Sequence, residues 1–355
     1  MMKGIILHGG HGTRLRPLTH TGPKQLLPIA NKPMSEYCVE SLKSAGITDI
    51  AIVVGGIGSQ KVRDYYGNGE KFGVNFSYVQ QNSPKGIAHA INLCKNFISN
   101  EKFVVFLGDN IMTKSIINAV KKFKISSIDA LLFLCEVDNP SQFGVAEIID
   151  KKIKKIVEKP NQPKSRFAVT GIYFFNPDIF DILSSLTPSS RNELEIVDAL
   201  QIMIDSNKII EFEMITEFWK DTGTPNDIIT ANTKILQTIK HNIPDDLSGI
   251  EFSGSISIGE GTTIQKNTKI NGPVLIGKNC IIESTALIGP NTSIGDNCHI
   301  SSCKIENSIV MSNCKITSNI HLKNSIIAFN SKILGKDPII DYNTLLLGEG
   351  TSITL

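Results

Sequence analysis

The residues with the clearest chemical potential lie near the start of the chain, in a glycine-rich turn followed by two cations. Residues 9–17 have the sequence GGHGTRLRP and follow an apolar run at residues 5–7. Such a run predicts a buried strand. A strand that enters a glycine-rich turn leaves backbone N–H groups at the sheet edge, where they can bind phosphate. Because Arg14 and Lys24 add two positive charges, the segment predicts an enzyme that binds a nucleoside triphosphate.

The glycine turn matches neither of the two standard phosphate-binding motifs. The P-loop pattern G-x-x-x-x-G-K-S/T is absent, and the dinucleotide pattern G-x-G-x-x-G fails because Leu15 occupies the third glycine position. The longer pattern GGxGTRLxPxT, with KQLLPI at residues 24–29 and NKPM at residues 31–34, resembles the signature of the sugar-1-phosphate nucleotidylyltransferases. Within that family it is most similar to the glucose-1-phosphate thymidylyltransferases.

The resemblance implies that a sugar phosphate oxygen attacks the α-phosphorus of a nucleoside triphosphate and releases pyrophosphate. The nucleophile is already an anion, so catalysis depends on cations, backbone N–H groups and a divalent metal that stabilise negative charge. Two catalytic residues are implied: Arg14 as a bidentate clamp on the triphosphate, and Lys24 as a bridge to the sugar phosphate. Nucleotide binding is implied for Leu7, Gly9, Gly10, Gly12, Thr13, Arg14, Gln25, Gln81 and Gly86.

Further segments resemble the metal-binding and sugar-binding parts of the family. Asp109 lies in LGDN and Asp221 in WKDTGT, and two carboxylates from distant segments can hold one Mg²⁺. The alternative is that each aspartate is only a turn or cap residue. In the segment EKP, Lys159 would hold the sugar 1-phosphate and Glu158 would accept hydrogen bonds from sugar hydroxyls. The implied sugar-phosphate set is Asn110, Gly144, Glu158, Lys159, Val169, Tyr173 and Trp219.

Nucleobase choice is expected in residues 80–87, QQNSPKGI. By resemblance, Gln81 and the backbone at Gly86 contact the pyrimidine, and a glutamine amide offers both the donor and the acceptor that suit an imide edge. Thymine and uracil share this edge, and a single methyl group is worth only about 1–3 kcal/mol of discrimination. We therefore expect dTTP and glucose 1-phosphate as substrates, with UTP-preferring or broad nucleotide use as the alternative.

One position departs from the family pattern next to the glycine turn. His8 stands where the family usually has alanine. We interpret it as a histidine at the end of a strand with satisfied hydrogen bonds, rather than as a catalytic group. The contacts named above do not depend on it.

The elements that position these residues fall in two parts of the chain with different patterns. Residues 1–240 alternate strand patterns, at 3–7, 49–54, 103–107 and 130–135, with helical patterns such as 37–45 and 87–97. This alternation predicts an α/β, Rossmann-like domain with a mostly parallel sheet. Ligands bind beyond the carboxyl ends of such strands, so the glycine turn and Asp109 are expected in one crevice.

The second part of the chain changes to a period of six. Isoleucine recurs every six residues from Ile258 to Ile300, often followed by glycine. The pattern is typical of hexapeptide repeats and resembles the left-handed parallel β-helix. The register slips by one near Ile305, so we expect about four to five coils over residues 250–335, with residues 341–355 as a cap that breaks the period. The predicted domains are 1–240 and 241–355.

The sequence leaves the role of the β-helix open among three possibilities. It is a stability and oligomerisation module, an acyltransferase domain that makes the protein bifunctional, or part of a non-catalytic sensor. The coil histidines, His299 and His321, lie in no long loop, which favours the structural role. Cys280 and Cys298 should stack on adjacent coils about 4.8 Å apart, as two buried thiols or alternatively as a disulfide.

Composition excludes several other functional classes. The 355-residue chain carries a net charge of +2, so it has no basic field for nucleic acid. No apolar run reaches the roughly 18 residues of a membrane span. The seven cysteines include no C-x-x-C pair, so zinc and thioredoxin-like sites have no support. We expect a cytoplasmic homo-oligomer with reduced thiols that uses Mg²⁺, a nucleoside triphosphate and a sugar 1-phosphate.

Overall fold

The computed structural model describes residues 2–10, 12–56, 58–244, 250–335 and 345–354. The chain divides into two compact units. The α/β unit comprises Met1–His11 and Met34–Asp221, and the β-helix unit comprises Gly12–Pro33 and Thr222–Leu355. Nothing among the described helices is both long and apolar enough to cross a bilayer.

The strands and helices up to the start of the coils are short and alternate along the chain. The strands are β1 (Lys3–Leu7), β2 (Pro28–Ile29), β3 (Lys32–Pro33), β4 (Asp49–Val54), β5 (Asn75–Gln80), β6 (Phe103–Leu107), β7 (Asn110–Met112), β8 (Ala130–Glu136), β9 (Gly144–Ile149), β10 (Lys152–Glu158), β11 (Phe167–Phe175), β12 (Ile210–Ile215) and β13 (Trp219–Asp221). The helices are α1 (Met34–Ser44), α2 (Ser59–Tyr66), α3 (Ile87–Asn92), α4 (Lys95–Ile98), α5 (Ile117–Ile125), α6 (Ile179–Ser185), α7 (Ile196–Asp205) and α8 (Pro225–Leu236).

The main sheet of the α/β unit has the order β10-β9-β11-β6-β1-β4-β5, and β8 links β11 to β12. Strand β1 pairs in parallel with β4 and β6, and β4 pairs in parallel with β5. Strand β11 is antiparallel to β6, β8 and β9. The predicted parallel sheet with its flanking helices is therefore confirmed, and antiparallel strands extend it beyond β6.

One predicted helix differs from the structure. The helical pattern at residues 87–97 is divided into α3 and α4. The N–H of Cys94 donates to the carbonyl of Ile91, three residues back, at 2.9 Å. This bond replaces the α-helical bond from four residues back and tightens the turn. The apolar spacing continues through the break, so sequence periodicity does not reveal it.

The β-helix consists of short parallel strands in three sheets. These strands are β14 (Glu251–Ser253), β15 (Ile256–Ile258), β16 (Thr263–Ile264), β17 (Lys269–Asn271), β18 (Val274–Ile276), β19 (Ile281–Ile282), β20 (Leu287–Ile288), β21 (Thr292–Ile294), β22 (His299–Ser301), β23 (Lys304–Glu306), β24 (Ile309–Val310), β25 (Lys315–Thr317), β26 (His321–Lys323), β27 (Ile326–Ile327), β28 (Lys332–Leu334), β29 (Leu346–Leu347) and β30 (Ser352–Thr354). Asparagine recurs at the corners with positive φ, for example Asn279 (52°) and Asn297 (57°), because its side chain tolerates the left-handed region.

The coil register follows the isoleucine spacing. Ile270 pairs with Ile288, 18 residues further on, whereas Ile288 pairs with Ile305, 17 residues further on. The predicted left-handed β-helix and its register slip are therefore confirmed. Cys280 and Cys298 are free thiols buried inside the coils, so the alternative of a disulfide is not supported.

The predicted cap differs from the structure in one respect. Residues 341–344 and 355 lie outside the described ranges. The remainder forms a further coil of the stack, since β29 pairs with β27 and β30 with β28, but it breaks the period as predicted. Leu347 pairs with Ile327, so this coil is 20 residues long. The longer spacing hides the repeat from a period-six search.

Candidate active site

The carboxyl ends of β1 and β6 bring the glycine turn and Asp109 to the same edge of the sheet. Leu7 pairs with Leu107, and the N–H of Gly108 donates to the carbonyl of Leu7 at 3.0 Å. Gly9 and Gly10 therefore leave the sheet beside Gly108 and Asp109. This confirms the predicted convergence for the part of the turn that lies in the α/β unit.

Asn110 is the centre of a buried hydrogen-bond network at this edge. Its Oδ1 accepts from Nε1 of Trp219 at 2.8 Å and from the N–H of Gly171 at 3.2 Å. Its Nδ2 donates to Oδ1 of Asp109 at 3.1 Å. Gly171 permits this close approach, since a Cβ there would lie 2.6 Å from Leu107 and 2.8 Å from Nδ2 of Asn110. The amide of Asn110 thus orients Asp109 and Trp219.

The two predicted metal-binding aspartates are carried by adjacent chain segments. Strands β7 and β13 are antiparallel, and Asp221 pairs with Asn110, the residue after Asp109. Burial raises the pKa of Tyr173, and the charges of Glu158, Asp109 and Asp221 raise it further. All three carboxylates therefore lie within electrostatic reach of one buried phenol.

These two carboxylates fit a magnesium ion by the chemistry of their oxygen atoms. In the described part of the chain, no group of three or more His, Cys, Asp or Glu side chains is placed to hold a metal. Mg²⁺ usually takes only one or two protein carboxylates and fills its other positions with phosphate oxygens and water. Asp109 and Asp221 provide such a partial set.

The predicted sugar-binding segments also come together. Gly144 pairs with Glu158 across β9 and β10, and a Cβ on Gly144 would lie 3.4 Å from Oε2 of Glu158 and 3.7 Å from Val169. The N–H of Lys159 donates to the carbonyl of Phe143 at 2.9 Å. The ring of Phe143 packs edge-on against Trp219, with 5.5 Å between centroids. This aromatic contact joins the predicted sugar-binding segment to the Asn110 network.

Arg191 belongs to the same cluster, although sequence analysis did not select it. Its guanidinium contacts Oε1 of Glu158 at 2.8 Å and Oε1 of Glu195 at 2.8 Å. Nζ of Lys159 lies 3.4 Å from the same oxygen of Glu158. Two cations therefore hold the Glu158 carboxylate. The charge-rich sequence RNELE at residues 191–195 is the sequence feature that could have identified Arg191.

In the segment that is predicted to select the nucleobase, the side chain of Gln81 forms hydrogen bonds with nearby residues of the chain. Nε2 of the buried Gln81 donates to the carbonyl of Gly86 at 3.3 Å and to Nδ1 of His89 at 2.9 Å. Its Oε1 lies beside Gly9, 3.2 Å from where a Cβ would stand. Burial, together with the charge of Lys85, lowers the pKa of His89, which favours the neutral ring whose Nδ1 can accept. His89, also missed from the sequence, fixes the orientation of the Gln81 amide.

The remaining predicted residues lie in the β-helix unit, on the loop of residues 12–33. Thr13 and Arg14 lie in a short 3-10 helix, and Lys24 and Gln25 lie in a second one. Gly12 has a positive φ of 58°, and a Cβ there would be 3.5 Å from Cβ of Lys24. The guanidinium of Arg14 lies beside Gly223, with Nη2 3.2 Å from the position of a Cβ.

His8 does not have the satisfied hydrogen bonds expected from the sequence. The residue is buried, and its ring packs edge-on against Tyr66 at 5.9 Å. Neither ring nitrogen has a hydrogen-bond partner among the residues that the structure describes. Burial lowers the pKa of His8 to about 3, and the charge of Asp109 offsets only part of this shift.

This histidine should make the protein less stable in mild acid. The unfolded chain protonates His8 below about pH 6.5, whereas the folded protein does so only near pH 3. Because the unfolded state binds the proton first, stability falls as the pH drops through 6.5. Between pH 7 and pH 5 we expect wild type to lose about 2 kcal/mol more than His8→Leu. Urea unfolding of both proteins at the two pH values measures this, and equal losses would contradict it.

Both parts of the chain are similar to known protein families. The model described as nucleotidyl transferase matches residues 3–238. The model described as the GMPPB C-terminal domain matches residues 270–354. The two matches correspond to the α/β pattern and to the coil pattern of the sequence.

Some known proteins are similar to this chain over nearly its whole length. A low-salt glycan biosynthesis nucleotidyltransferase of Haloferax volcanii is 38% identical and covers 100% of both chains. A glucose-1-phosphate thymidylyltransferase of Streptomyces griseus is 36% identical over 98% of each chain. The solved structure of a proposed glucose-1-phosphate thymidylyltransferase from Bacillus anthracis, in complex with a sucrose, is 40% identical with a TM-score of 0.64, covering 68% of this chain and 98% of that one.

Proposed function

Because this chain belongs to the nucleotidyl transferase family, we propose that it transfers a thymidylyl group from dTTP to glucose 1-phosphate. The products are dTDP-glucose and pyrophosphate. The observation that carries this proposal is the Asn110 network, since one buried amide joins the carboxylate of Asp109 to Trp219 and, through Phe143, to the sugar segment. The carboxylate that we propose for metal binding and the segment that we propose for sugar binding are therefore linked by direct contacts.

The reaction is a single displacement at phosphorus. An oxygen of the sugar 1-phosphate forms a bond to the α-phosphorus, and the bond from that phosphorus to the oxygen of the β-phosphate breaks. Pyrophosphate leaves with the electron pair, and no proton has to be removed from the nucleophile. Arg14 stabilises the charge that develops on the triphosphate, and Lys24 neutralises the two phosphates that approach each other. Mg²⁺, held by Asp109 and Asp221, would neutralise charge on the phosphate oxygens when bound.

The sugar is oriented by a carboxylate whose own position is fixed. Arg191 and Lys159 both contact Oε1 of Glu158, so Oε2 is the oxygen that accepts from the sugar hydroxyls. Gly144 and Val169 lie at the same part of the site as this oxygen, and neither residue has a long side chain. A charge-assisted acceptor of this kind favours a hexose that presents hydroxyl groups to it.

The pyrimidine is selected by an amide with a fixed orientation. His89 and Gly86 occupy Nε2 of Gln81, so Oε1 is left to accept from the imide N–H of the base. Thymine and uracil both provide that donor, whereas cytosine does not at neutral pH. This argument supports dTTP and UTP as a class, and the preference for dTTP is the finer part of the proposal. We also propose that the protein is a cytoplasmic homo-oligomer in which the β-helix performs no acyl transfer.

Pyrophosphate release tests the proposal directly. The purified protein is mixed with glucose 1-phosphate and Mg²⁺, and dTTP, UTP, CTP, ATP and GTP are compared in parallel. We expect the highest kcat/KM with dTTP, a smaller value with UTP and little release with the others. Greater release with UTP would keep the reaction class and overturn the base preference. Binding of nucleotides with no release from any of the five would support a sensor instead.

A further inference from the structure

The loop that carries Arg14 and Lys24 belongs to the same compact unit as the β-helix. It ends in the hairpin of β2 and β3, whose turn residues are Ala30 and Asn31. Both have positive φ, 47° and 61° respectively. Asparagine adopts this region readily, but alanine does so at a cost, so contacts from outside the hairpin must hold the turn.

Asn232 on α8 provides the main contact. Its side chain is fully buried, and its Oδ1 accepts from the N–H of Ala30 at 2.8 Å and from Oγ of Ser293 at 3.0 Å. Its Nδ2 donates to the carbonyl of Asn291 at 3.4 Å. One carboxamide thus joins the strained turn of the hairpin to a coil of the β-helix. Nδ2 of Asn31 adds a direct bond to the carbonyl of Ile294 at 2.6 Å.

A second contact joins the front of the loop to the last described coil. Oγ1 of Thr21 donates to a carboxylate oxygen of Glu349. A Cβ on Gly348 would lie 3.2 Å from Cβ of Pro17, so this glycine lets the loop and the coil approach closely. Lys24 therefore lies in a segment that is attached to the β-helix on both sides.

We propose that Asn232 is a positioning residue that attaches residues 12–33 to the β-helix and so holds Arg14 and Lys24 in their working geometry. The proposal rests on the function proposed above for the roles of these two cations. A displacement of about 1 Å in a reacting group can cost about 10²-fold in rate. The β-helix then contributes to catalysis by holding a loop, without chemistry of its own.

Three variants separate this role from a purely structural one. Asn232→Ala removes the bonds to Ala30, Ser293 and Asn291. Asn31→Gly preserves the left-handed turn and removes only the bond to Ile294, so it serves where Asn232→Ala does not fold. Thr233→Val is the matched control, because Oγ1 of Thr233 on the same helix bonds Oδ1 of Asn307 in the β-helix at 3.0 Å without touching the loop.

Each variant is measured by hydrogen exchange with mass spectrometry and by steady-state kinetics. For Asn232→Ala we expect faster exchange in peptides of residues 12–33 and a fall in kcat of about 10- to 100-fold, with KM for glucose 1-phosphate nearly unchanged. Asn31→Gly should show the same changes on a smaller scale. Thr233→Val should keep both the exchange of the loop and kcat, even if it unfolds at a lower temperature.

The two readouts distinguish failure of this inference from failure of the proposed function. Unchanged exchange in residues 12–33 of Asn232→Ala would overturn the inference, as would equal losses of kcat in Asn232→Ala and Thr233→Val. If wild type releases no pyrophosphate with any nucleotide, the proposed function fails, and exchange still decides whether Asn232 holds the loop.

Discussion

Replacement of Arg14 by alanine is expected to lower kcat about 10²–10³-fold, the usual cost of removing one preorganised donor to a charged transition state. The guanidinium lies beside Gly223 in the β-helix unit, where the absence of a side chain leaves it room. A planar fork can bind two phosphate oxygens at once, and the charge on these oxygens grows as the bond to pyrophosphate breaks. The loss should therefore appear more in kcat than in KM for the sugar phosphate.

Two further variants test whether the loss of kcat depends on the guanidinium group of Arg14. Arg14→Lys keeps the charge but not the fork, so we expect an intermediate loss of about 10-fold. Arg16→Ala removes an exposed arginine from the same loop and should change kcat by less than about 3-fold. Pyrophosphate release under saturating dTTP measures all three. Equal effects of Arg14→Ala and Arg16→Ala would show that only the net charge of the loop matters.

Local patterns were sufficient to predict much of the fold. The apolar runs that end at Leu7 and Leu107 are strands that pair in parallel, because a fully buried strand has an uninterrupted apolar sequence. The recurrence of isoleucine at every sixth residue predicts the coils directly, since each of these residues faces the interior and must be aliphatic. Strands β1 and β6 are parallel neighbours, so their carboxyl ends lie at the same edge of the sheet. The proximity of Gly9 and Asp109 therefore also follows from the order of the strands.

The parts that the sequence did not predict depend on contacts between distant segments. Arg191 lies 33 residues from Glu158, and Asn232 lies 202 residues from Ala30. No spacing rule links such pairs, because tertiary packing alone brings them together. Asn110 is a similar case. It is expected to bind the sugar phosphate, but its side chain forms hydrogen bonds with Trp219, Gly171 and Asp109. We therefore propose that it acts on the substrate through these neighbours.

The division of the chain could not be predicted for a related reason. The change from α/β to hexapeptide pattern places a boundary near residue 240, and that boundary remains a prediction. The compact units instead group residues 12–33 with the coils. A sequence boundary marks where the repeat changes, whereas a compact unit reflects which segments pack together. The hairpin of β2 and β3 packs on α8, and the bond from Ala30 to Asn232 is part of that packing.

The second large effect is expected from the aspartates that fit magnesium. Asp221→Asn keeps the size of the side chain and removes one negative charge from the segment opposite Asn110. If Asp221 holds Mg²⁺, kcat/KM should fall about 10³-fold, equivalent to about 4 kcal/mol of transition-state stabilisation. The Mg²⁺ concentration for half-maximal rate should rise at the same time. Treatment of wild type with a chelator should abolish pyrophosphate release, and added Mg²⁺ should restore it.

Asp109→Asn should show the same dependence on Mg²⁺, because its Oδ1 can still accept from Asn110 and the local network survives. Asp205→Asn is the matched control, since this aspartate ends α7 and accepts only an exposed bond from Gln201 among the contacts described. A magnesium requirement that is equal in Asp221→Asn and Asp205→Asn would remove Asp221 from the metal site. A shift in Asp109→Asn alone would assign the ion to a single carboxylate, with phosphate oxygens and water as its other ligands.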